Sequence, residues 1–148
     1  MSAVDQFDAR ILRELEMNGR ISWAELSTAV HLSPTAVADR VRRMERDGVI
    51  RGYRAEVDPA AYGRTTRAVI EVGLIAGAHA EEFETRLRTR DEIAFAAYVT
   101  GSSDYSLQCE CNGSDGLDGL VRWLRADPAV ARTETRFILR VVRDGAKR

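Results

Sequence analysis

The sequence predicts an α+β protein made of two small domains, a helical one followed by a four-stranded one. Three observations predict this class. The first half carries three helical patterns separated by short turns, the second half reads β-α-β-β-α-β, and arginines concentrate on the third helix. The length of 148 residues suits one ordinary domain or two small ones, and 45% apolar with 30% charged residues is a globular balance.

Two amphipathic helices are predicted at the start of the chain. Residues 5–17 place apolar side chains at helical spacing and end before Gly19, since glycine is the usual residue past a helix C-terminus. Ser22, with Glu25 three residues later, has the spacing of a capping box and begins a helix over residues 22–30. The side chains expected to be buried are Phe7, Ile11, Leu12, Leu15, Trp23, Leu26 and Val30.

A third helix follows a three-residue turn that starts at His31. Ser33 is its predicted cap, Pro34 stands in its first turn where no amide donor is missed, and it continues to Asp47 before Gly48 ends it. Two short helices joined by a tight turn, with a third helix before them, form a helix-turn-helix unit.

The third helix has a basic side. Residues 34–54 hold six arginines and three acidic residues, a local charge of +3, whereas the rest of the chain carries −4. Val37, Val41 and Met44 recur at helical spacing and are expected to face the core. The opposite side is either a solvated helix face or a surface that enters the major groove of DNA. The predicted DNA-binding residues, including the two cap serines, are Ser22, Ser33, Thr35, Ala36, Asp39, Arg40, Arg42, Arg43 and Arg46.

A linker and a second domain are predicted after the helices. Residues 49–58 alternate and are rich in β-forming residues, which predicts a strand, and Pro59 to Gly63 is interpreted as a hinge. The predicted organisation is a helix-turn-helix (winged-helix-like) domain at 1–50, a strand linker at 51–63 and a ferredoxin-like βαββαβ domain at 64–148.

The ferredoxin-like prediction rests on the order of elements in the second half. Strands are expected at 66–76, 93–100, 104–111 and 130–142, and helices at 79–89 and 114–126. Both helices of this motif lie on one face of the sheet, so the other face needs a cover, commonly a second copy of the chain. Depending on register, that face would expose Ile93 and Phe95 or Ala94 and Ala96.

Several kinds of site are not expected. Cys109 and Cys111 lie two apart on a predicted strand, so their side chains are roughly 6.5–7 Å apart, too far for an ordinary disulfide, and they are interpreted as buried thiols. No apolar run approaches the ~20 residues that span a membrane and no leader opens the chain, which favours the cytoplasm. The sequence shows no catalytic triad, phosphate-binding loop or metal-ligand spacing, so neither catalytic residues nor a cofactor or metal is predicted.

Several stretches follow one known pattern over nearly all 148 residues. They are residues 12–15, 18–22, 25–26, 32–35, 40–45 and 48–53, with Gly101 and Asp104-Tyr105 between the middle strands. In these stretches the chain resembles the leucine-responsive regulatory protein / asparagine synthase regulator family, the feast/famine transcription regulators. The resemblance implies binding to double-stranded DNA, homodimers that can assemble into tetramers or octamers, and an amino-acid effector bound between dimers near Gly101 and Asp104.

The turn between the middle strands is therefore the candidate effector site. Backbone amides of a glycine turn can hold a carboxylate, and Asp104 can accept from an α-ammonium group. The alternative is that Gly101 only permits the turn and Asp104 only caps it. The predicted effector-binding residues are Tyr98, Thr100, Gly101, Ser102, Ser103, Asp104, Thr133 and Thr135.

Two residues stand out against the family pattern. His31 occupies a turn position where the family usually has glycine, so it is expected to adopt a positive φ at some energetic cost. Asp39 lies within the reading face, where it accepts from a cytosine amino group or orients Arg43 by i,i+4 pairing. We favour the orienting role.

An enzyme and a pure assembly or sensing module are the rival functions. Sirohaem decarboxylases resemble this two-domain architecture, and their site would want histidines or arginines in the cleft of the second domain. His79 is the only histidine there, in a turn before a predicted helix. The arginine-rich third helix favours a regulator without enzymatic activity, and a visible-absorbing tetrapyrrole that copurifies would reverse this ranking.

Overall fold

The computed structural model describes residues 4–142, which separate into two units between residues 56 and 57, inside the predicted linker. The N-terminal unit contains α1 (Gln6–Met17), α2 (Trp23–Val30) and α3 (Pro34–Arg46). All three helices lie within a residue or so of their predicted bounds, and the helix-turn-helix prediction is confirmed.

Side-chain caps begin each of these helices. Ser22 and Glu25 form the predicted capping box of α2, and the Ser33 hydroxyl accepts from the Ala36 amide at the start of α3. α1 has a capping box that the sequence reading missed, in which Asp5 caps and Asp8 accepts from the Asp5 amide. These contacts satisfy amide donors that no helical carbonyl can reach.

The three helices enclose a small core. Its fully or almost fully buried side chains are Ile11, Leu26, Val30, Val37, Val41 and Met44. The prediction that Trp23 is buried is wrong, because Trp23 is the first residue of α2, one turn before the first α2 residue of the core, and its side chain is 44% exposed. His31 has φ 57° and ψ 46°, so the expected positive φ is confirmed.

The predicted strand over residues 49–58 is wrong. Val49 and Ile50 are half-buried against the helical core, where both amides donate to the Met44 carbonyl, and residues 51–58 are exposed. The alternating pattern suits a strand, but a strand forms only where a neighbour accepts its backbone hydrogen bonds, and no strand within residues 4–142 pairs with this segment. The predicted hinge contains a 3-10 turn, Pro59–Tyr62.

The C-terminal unit is one antiparallel sheet with two helices. Its elements in chain order are β1 (Thr66–Leu74), α4 (Ala80–Leu87), β2 (Ile93–Tyr98), β3 (Tyr105–Cys111), α5 (Gly113–Ala126) and β4 (Val130–Phe137). The strand order β2-β3-β1-β4, with every neighbouring pair antiparallel, confirms the ferredoxin-like prediction. β4 is shorter than expected, because residues 138–142 are not in a strand.

Register places one face of the sheet under the helices. Ile70 on β1 pairs with Leu107 on β3, and both are completely buried with Phe83 of α4 and Leu120 of α5. Cys109 is buried on this face as a free thiol, and burial raises the pKa of Cys109 to about 12. The prediction of buried thiols is confirmed.

The other face of the sheet is mixed rather than uniformly apolar. Glu71 accepts a hydrogen bond from Ser106 at 3.0 Å and faces Arg136 at 3.4 Å. The register of β2 shifts between Ile93 and Phe95, so that Ile93 packs against the core while Phe95, 54% exposed, pairs with Gln108. Two pairs were predicted as alternatives for the exposed face of β2, Ile93 and Phe95 or Ala94 and Ala96. Of these residues, Phe95 is the large apolar one that the sheet leaves uncovered.

Candidate nucleic-acid interface and effector turn

The outermost stripe of α3 consists of four predicted DNA-binding residues. They are Thr35, Asp39, Arg42 and Arg46, all exposed and opposite the buried side of the helix. The predicted pairing of Asp39 with Arg43 is wrong. The Asp39 carboxylate lies 3.6 Å from Arg42 instead, an i,i+3 pair in which both side chains are about two-thirds exposed.

Arg40 and Arg43 lie on the flank of α3 that faces α1, rather than on its outermost stripe. Arg40 Nη1 donates to Asp8 Oδ1 at 2.9 Å, and Arg43 Nη2 donates to Asp8 Oδ2 at 2.5 Å. The Asp8 side chain is only 1% exposed. One buried carboxylate on α1 thus holds two of the arginines predicted to contact DNA.

Two further contacts fix the Arg40 guanidinium. Its Nη1 also donates to Asp5 Oδ2 at 2.6 Å, and its Cζ lies 5.5 Å from the centroid of the Phe7 ring, a cation–π distance. The hydrogen bonds to Asp5 and Asp8 raise the pKa of Arg40. The amide of Asp8 and the guanidinium of Arg40 lower the pKa of Asp5. Both carboxylates therefore stabilise the charge that they hold.

The remaining arginines of the basic segment are differently placed. Within residues 4–142, no ion pair joins Arg46, Arg51 or Arg54 to an acidic side chain. The sequence predicts Arg40 at the flank of α3, but it also placed Arg43 on or near the outer side and missed the acidic partner that the two arginines share. One signal was available: Asp8 lies beside Ile11 and Leu12 in the apolar stripe of α1, where a carboxylate needs a partner.

The two cap serines and Ala36 lie at the N-terminal ends of α2 and α3. The Ser22 hydroxyl donates to Glu25 Oε2 at 2.7 Å and accepts from the Glu25 amide, and the donated hydrogen bonds from the Ser22 hydroxyl and the Ser22 amide lower the pKa of Glu25. The Ser33 hydroxyl accepts from the Ala36 amide at 3.2 Å. Both hydroxyls thus cap their helices, and the Ser22 and Ser33 side chains are nevertheless exposed.

The turn between β2 and β3 is held mainly through Asp104. The Asp104 amide donates to the Val72 carbonyl, its carbonyl accepts from the Val99 amide, and its Oδ2 accepts from the Leu74 amide at 2.7 Å. Gly101 has φ +120°, a conformation that residues with a side chain rarely adopt, so the turn requires glycine there. These contacts agree with the capping alternative for Asp104, and they leave Oδ1 without a hydrogen bond among the described residues.

The predicted effector residues fall into two groups. Thr100, Gly101 and Ser102 are exposed and Ser103 is half-buried, all in the same turn as Asp104. Thr133 and Thr135 lie on β4, at the opposite edge of the sheet from β2. They pair with Val72 and Ile70 and so face the helices, where the Thr133 hydroxyl accepts from Arg125. Strand β1 therefore separates the β4 threonines from the turn.

Tyr98 stands between this turn and a surface groove. Its ring is 70% exposed and meets Tyr105 edge-on at 5.3 Å. The Tyr105 hydroxyl donates to Glu84 at 2.8 Å, and burial together with that carboxylate raises the pKa of Tyr105 to about 12. The groove has a volume of about 350 Å³ and runs between α4 and β2. Tyr98 therefore lines this groove next to the turn.

The described residues contain neither a metal-type cluster nor a membrane-spanning helix. Between residues 4 and 142, no three histidine, cysteine or acidic side chains are grouped as a metal site would require. None of the helices in that range has the length and apolarity to cross a membrane. His79, the histidine of the second domain, is exposed at the start of α4.

Comparison with protein families matches both parts of the chain. Residues 4–45 match the AsnC-type helix-turn-helix domain, and residues 67–147 match the Lrp/AsnC ligand binding domain. The two matched regions correspond to the helical unit and to the ferredoxin-like unit.

Individual proteins are similar over most of the chain. A leucine-responsive regulatory protein of Haemophilus influenzae is 40% identical over 72% of this chain and 65% of its own length. The transcriptional regulator AldR of Mycolicibacterium smegmatis is 34% identical over 95% of this chain and 84% of its own. A feast or famine regulatory protein from M. tuberculosis, solved in complex with L-methionine, superposes with a TM-score of 0.90 at 30% identity, covering 99% of each chain.

Proposed function

The chain belongs to the Lrp/AsnC family, and from this premise we propose that it is a sequence-specific DNA-binding transcription regulator controlled by a small effector. The observation that carries the proposal is the construction of α3. Its inner side is buried in the helical core, whereas its outermost stripe holds exposed arginines and no core residue. A helix of this kind is the reading element of a helix-turn-helix unit.

Different parts of α3 would serve different contacts. Arg42 and Arg46, on the outermost stripe with Thr35, are the residues proposed to reach base edges in the major groove, with Asp39 orienting Arg42. Ser22, Ser33 and Ala36, near the helix N-termini, are proposed to face phosphates, whereas the guanidinium groups of Arg40 and Arg43 on the flank are held by Asp8.

Arg42→Ala tests this assignment, with Arg13→Ala as its control. Both arginines are exposed and both changes remove one positive charge, but Arg13 lies on α1. A preferred duplex is first selected from random DNA, and anisotropy titrations then follow its affinity as salt is varied. Arg42→Ala should reduce the log–log salt slope by about one unit, or reduce discrimination by ~1–3 kcal/mol, and Arg13→Ala should do neither. If Arg42→Ala binds like wild type, α3 is not the reading helix.

We propose that the regulator is a homodimer, or a tetramer or octamer built from dimers. The support is the uncovered sheet face with Phe95 54% exposed, together with the need of a helix-turn-helix protein for two half-sites. Its two α3 helices would contact half-sites ~34–36 Å apart, or a multiple of that spacing. Light scattering on the full chain should give a dimer or larger species, and a monomer at micromolar concentration would refute the assembly.

An amino acid is the proposed effector. The M. tuberculosis structure carries L-methionine, so methionine is the first compound to test. In this chain, Asp104 Oδ1 could accept from an α-ammonium group, while Thr100, Gly101 and Ser102 offer exposed backbone near it. Thr133 and Thr135 are separated from this turn by β1, so we propose that they join the site from another copy of the chain.

A thermal-shift screen of the twenty amino acids identifies the effector. A ligand present at 100 times its dissociation constant stabilises the folded state by ~2.7 kcal/mol, which such a screen resolves. We do not propose an enzymatic activity, because the relatives that match are named as regulators and none of the comparisons supports the sirohaem alternative. We propose a cytoplasmic location, because a regulator works where its DNA is.

A further inference from the structure

We propose that the acid pair of α1, Asp5 and Asp8, withholds Arg40 and Arg43 from DNA phosphates and thereby limits non-specific binding. The inference rests on the proposed role of α3 as the DNA-facing helix. It assigns to α1 a positioning function in discrimination between sequences, carried out through two arginines that α1 itself does not supply.

The Asp8 carboxylate is built to hold two guanidinium groups at once. Each of its oxygens has its own arginine, with Arg40 on Oδ1 at 2.9 Å and Arg43 on Oδ2. Oδ2 also accepts from the Asp5 amide at 3.1 Å, which fixes the carboxylate to the start of α1. Both contacts with α3 join residues more than 30 positions apart, so they are made by the tertiary fold rather than by local geometry.

Burial makes these contacts hard to exchange. Asp8 is 1% exposed, whereas the side chains of Arg40 and Arg43 are 25% and 34% exposed. A phosphate that takes either guanidinium removes one of the two cations that pair with this buried carboxylate, and a buried charge that loses a partner is costly. Arg42 has no such restraint, since its contact with Asp39 is an exposed surface pair that exchanges with solvent at little cost.

Charge determines the consequence for DNA binding. Non-specific affinity comes from phosphates neutralised by cations, and each one adds about 0.9 to the slope of log affinity against log salt. Because Asp5 and Asp8 balance the charges of Arg40 and Arg43, these two arginines add little to that slope. Discrimination between sequences is the difference between the specific and the non-specific binding free energy. A lower non-specific affinity therefore increases the discrimination.

Asp8→Asn tests the inference because it removes the charge and keeps the shape of the side chain. Affinity for a random-sequence duplex and for the selected duplex is measured from 0.1 to 1 M salt. The random-duplex slope should steepen by about 0.9 for each arginine released. If Asp8→Asn and wild type have equal affinity for the random duplex at 1 M salt, the variant should bind it about 8-fold tighter at 0.1 M for one released arginine and about 60-fold tighter for two. The selected duplex should gain less, so the ratio between the two affinities falls.

Two further variants keep the test decisive. Glu16→Gln removes one negative charge from the exposed side of α1, where no arginine within residues 4–142 forms an ion pair with it, and should leave the slope near wild type. Asp5→Asn keeps the helix cap, since asparagine caps as well as aspartate, and weakens the hold on Arg40 alone. Its slope should exceed that of Glu16→Gln, and this comparison decides the matter if Asp8→Asn does not fold.

The outcomes separate this inference from the proposed function. If Arg42→Ala weakens binding but folded Asp8→Asn has the wild-type slope or a shallower one, the acid pair does not withhold the arginines and the inference is overturned. If Arg42→Ala has no effect, the assignment of α3 itself fails. A steeper slope with a smaller affinity ratio in Asp8→Asn supports the inference, because a merely structural role for Asp8 would move the stability and not the slope.

Discussion

Replacing Asp104 by alanine and by asparagine separates the two roles that this residue can have in the β2–β3 turn. The Asp104 carboxylate accepts from the Leu74 amide at 2.7 Å, and it is also the proposed partner of an effector ammonium group. Alanine removes both interactions. Asparagine keeps an oxygen that can accept from Leu74 but removes the negative charge.

The structure gives magnitudes for both variants. Loss of a hydrogen bond to a charged acceptor costs about 1.5–3 kcal/mol. Because Asp104 is only half-buried, Asp104→Ala should lower the unfolding free energy by an amount near the lower end of this range. Asp104→Asn exchanges a charged acceptor for a neutral one and should lose about 1 kcal/mol or less. In both variants, loss of the carboxylate that pairs with the ammonium group should reduce the affinity for the effector roughly ten- to hundred-fold.

Urea denaturation and calorimetry measure the two effects independently. The calorimetric ligand is the amino acid identified by the thermal-shift screen. Weak effector binding by a stable Asp104→Asn protein would assign the charge to ligand recognition. Because coupling between two sites is reciprocal, the effector concentration that changes DNA affinity should shift by the same factor. If Asp104→Asn binds the effector as tightly as wild type, Asp104 only caps the turn.

Three further predictions concern stability. Arg86 donates two hydrogen bonds to Asp127, whose side chain is 4% exposed, so Arg86→Ala should lower the unfolding free energy by about 2–3 kcal/mol, whereas the exposed Arg88→Ala should cost under ~0.5 kcal/mol. Burial opposes ionisation of Asp127, but the hydrogen bonds from Arg86 and the Ala129 amide outweigh it and lower the pKa of Asp127 below 3.8. The stabilisation that ionised Asp127 provides is therefore present above pH 3.8 and is lost as the pH falls further. At pH values under 3.8, the unfolding free energy of wild type should consequently decrease more steeply than that of Arg86→Ala. His31→Gly should raise the urea midpoint, since relief of the left-handed backbone, ~1–2 kcal/mol, exceeds the entropy cost of glycine, ~0.5–1 kcal/mol, and an equal gain in His31→Ala would contradict this reason.

Features determined by neighbouring residues were predictable from the sequence. The capping box of Ser22 and Glu25, the proline at the start of α3 and the positive φ at His31 each depend on a few adjacent positions. The ferredoxin-like order was predictable for a related reason, because each strand and helix carries its own periodicity and the motif follows from their succession.

Features that depend on distant residues were not predictable in the same way. Residues 49–58 have a strand-like pattern, but strand formation depends on a pairing partner that the pattern does not specify. Helical periodicity placed Arg43 on the outer side of α3, and only the packing of α1 against α3 shows that it turns toward Asp8. Likewise, the distance of Thr133 and Thr135 from the turn follows from strand order rather than from position in the sequence.

Each candidate site contains an aspartate that also stabilises the fold through hydrogen bonds. A mutation of this aspartate can therefore change stability as well as function. Asp8 holds two arginines and an amide, and Asp104 holds the Leu74 amide, so an alanine at either position changes stability together with function. An asparagine keeps the shape and one acceptor oxygen, but it removes the charge and replaces the second oxygen by an NH2 donor. A salt slope changed at residue 8, or an effector affinity changed at residue 104, can then be attributed to loss of the carboxylate rather than to packing, because the side-chain volume in each variant is nearly that of wild type.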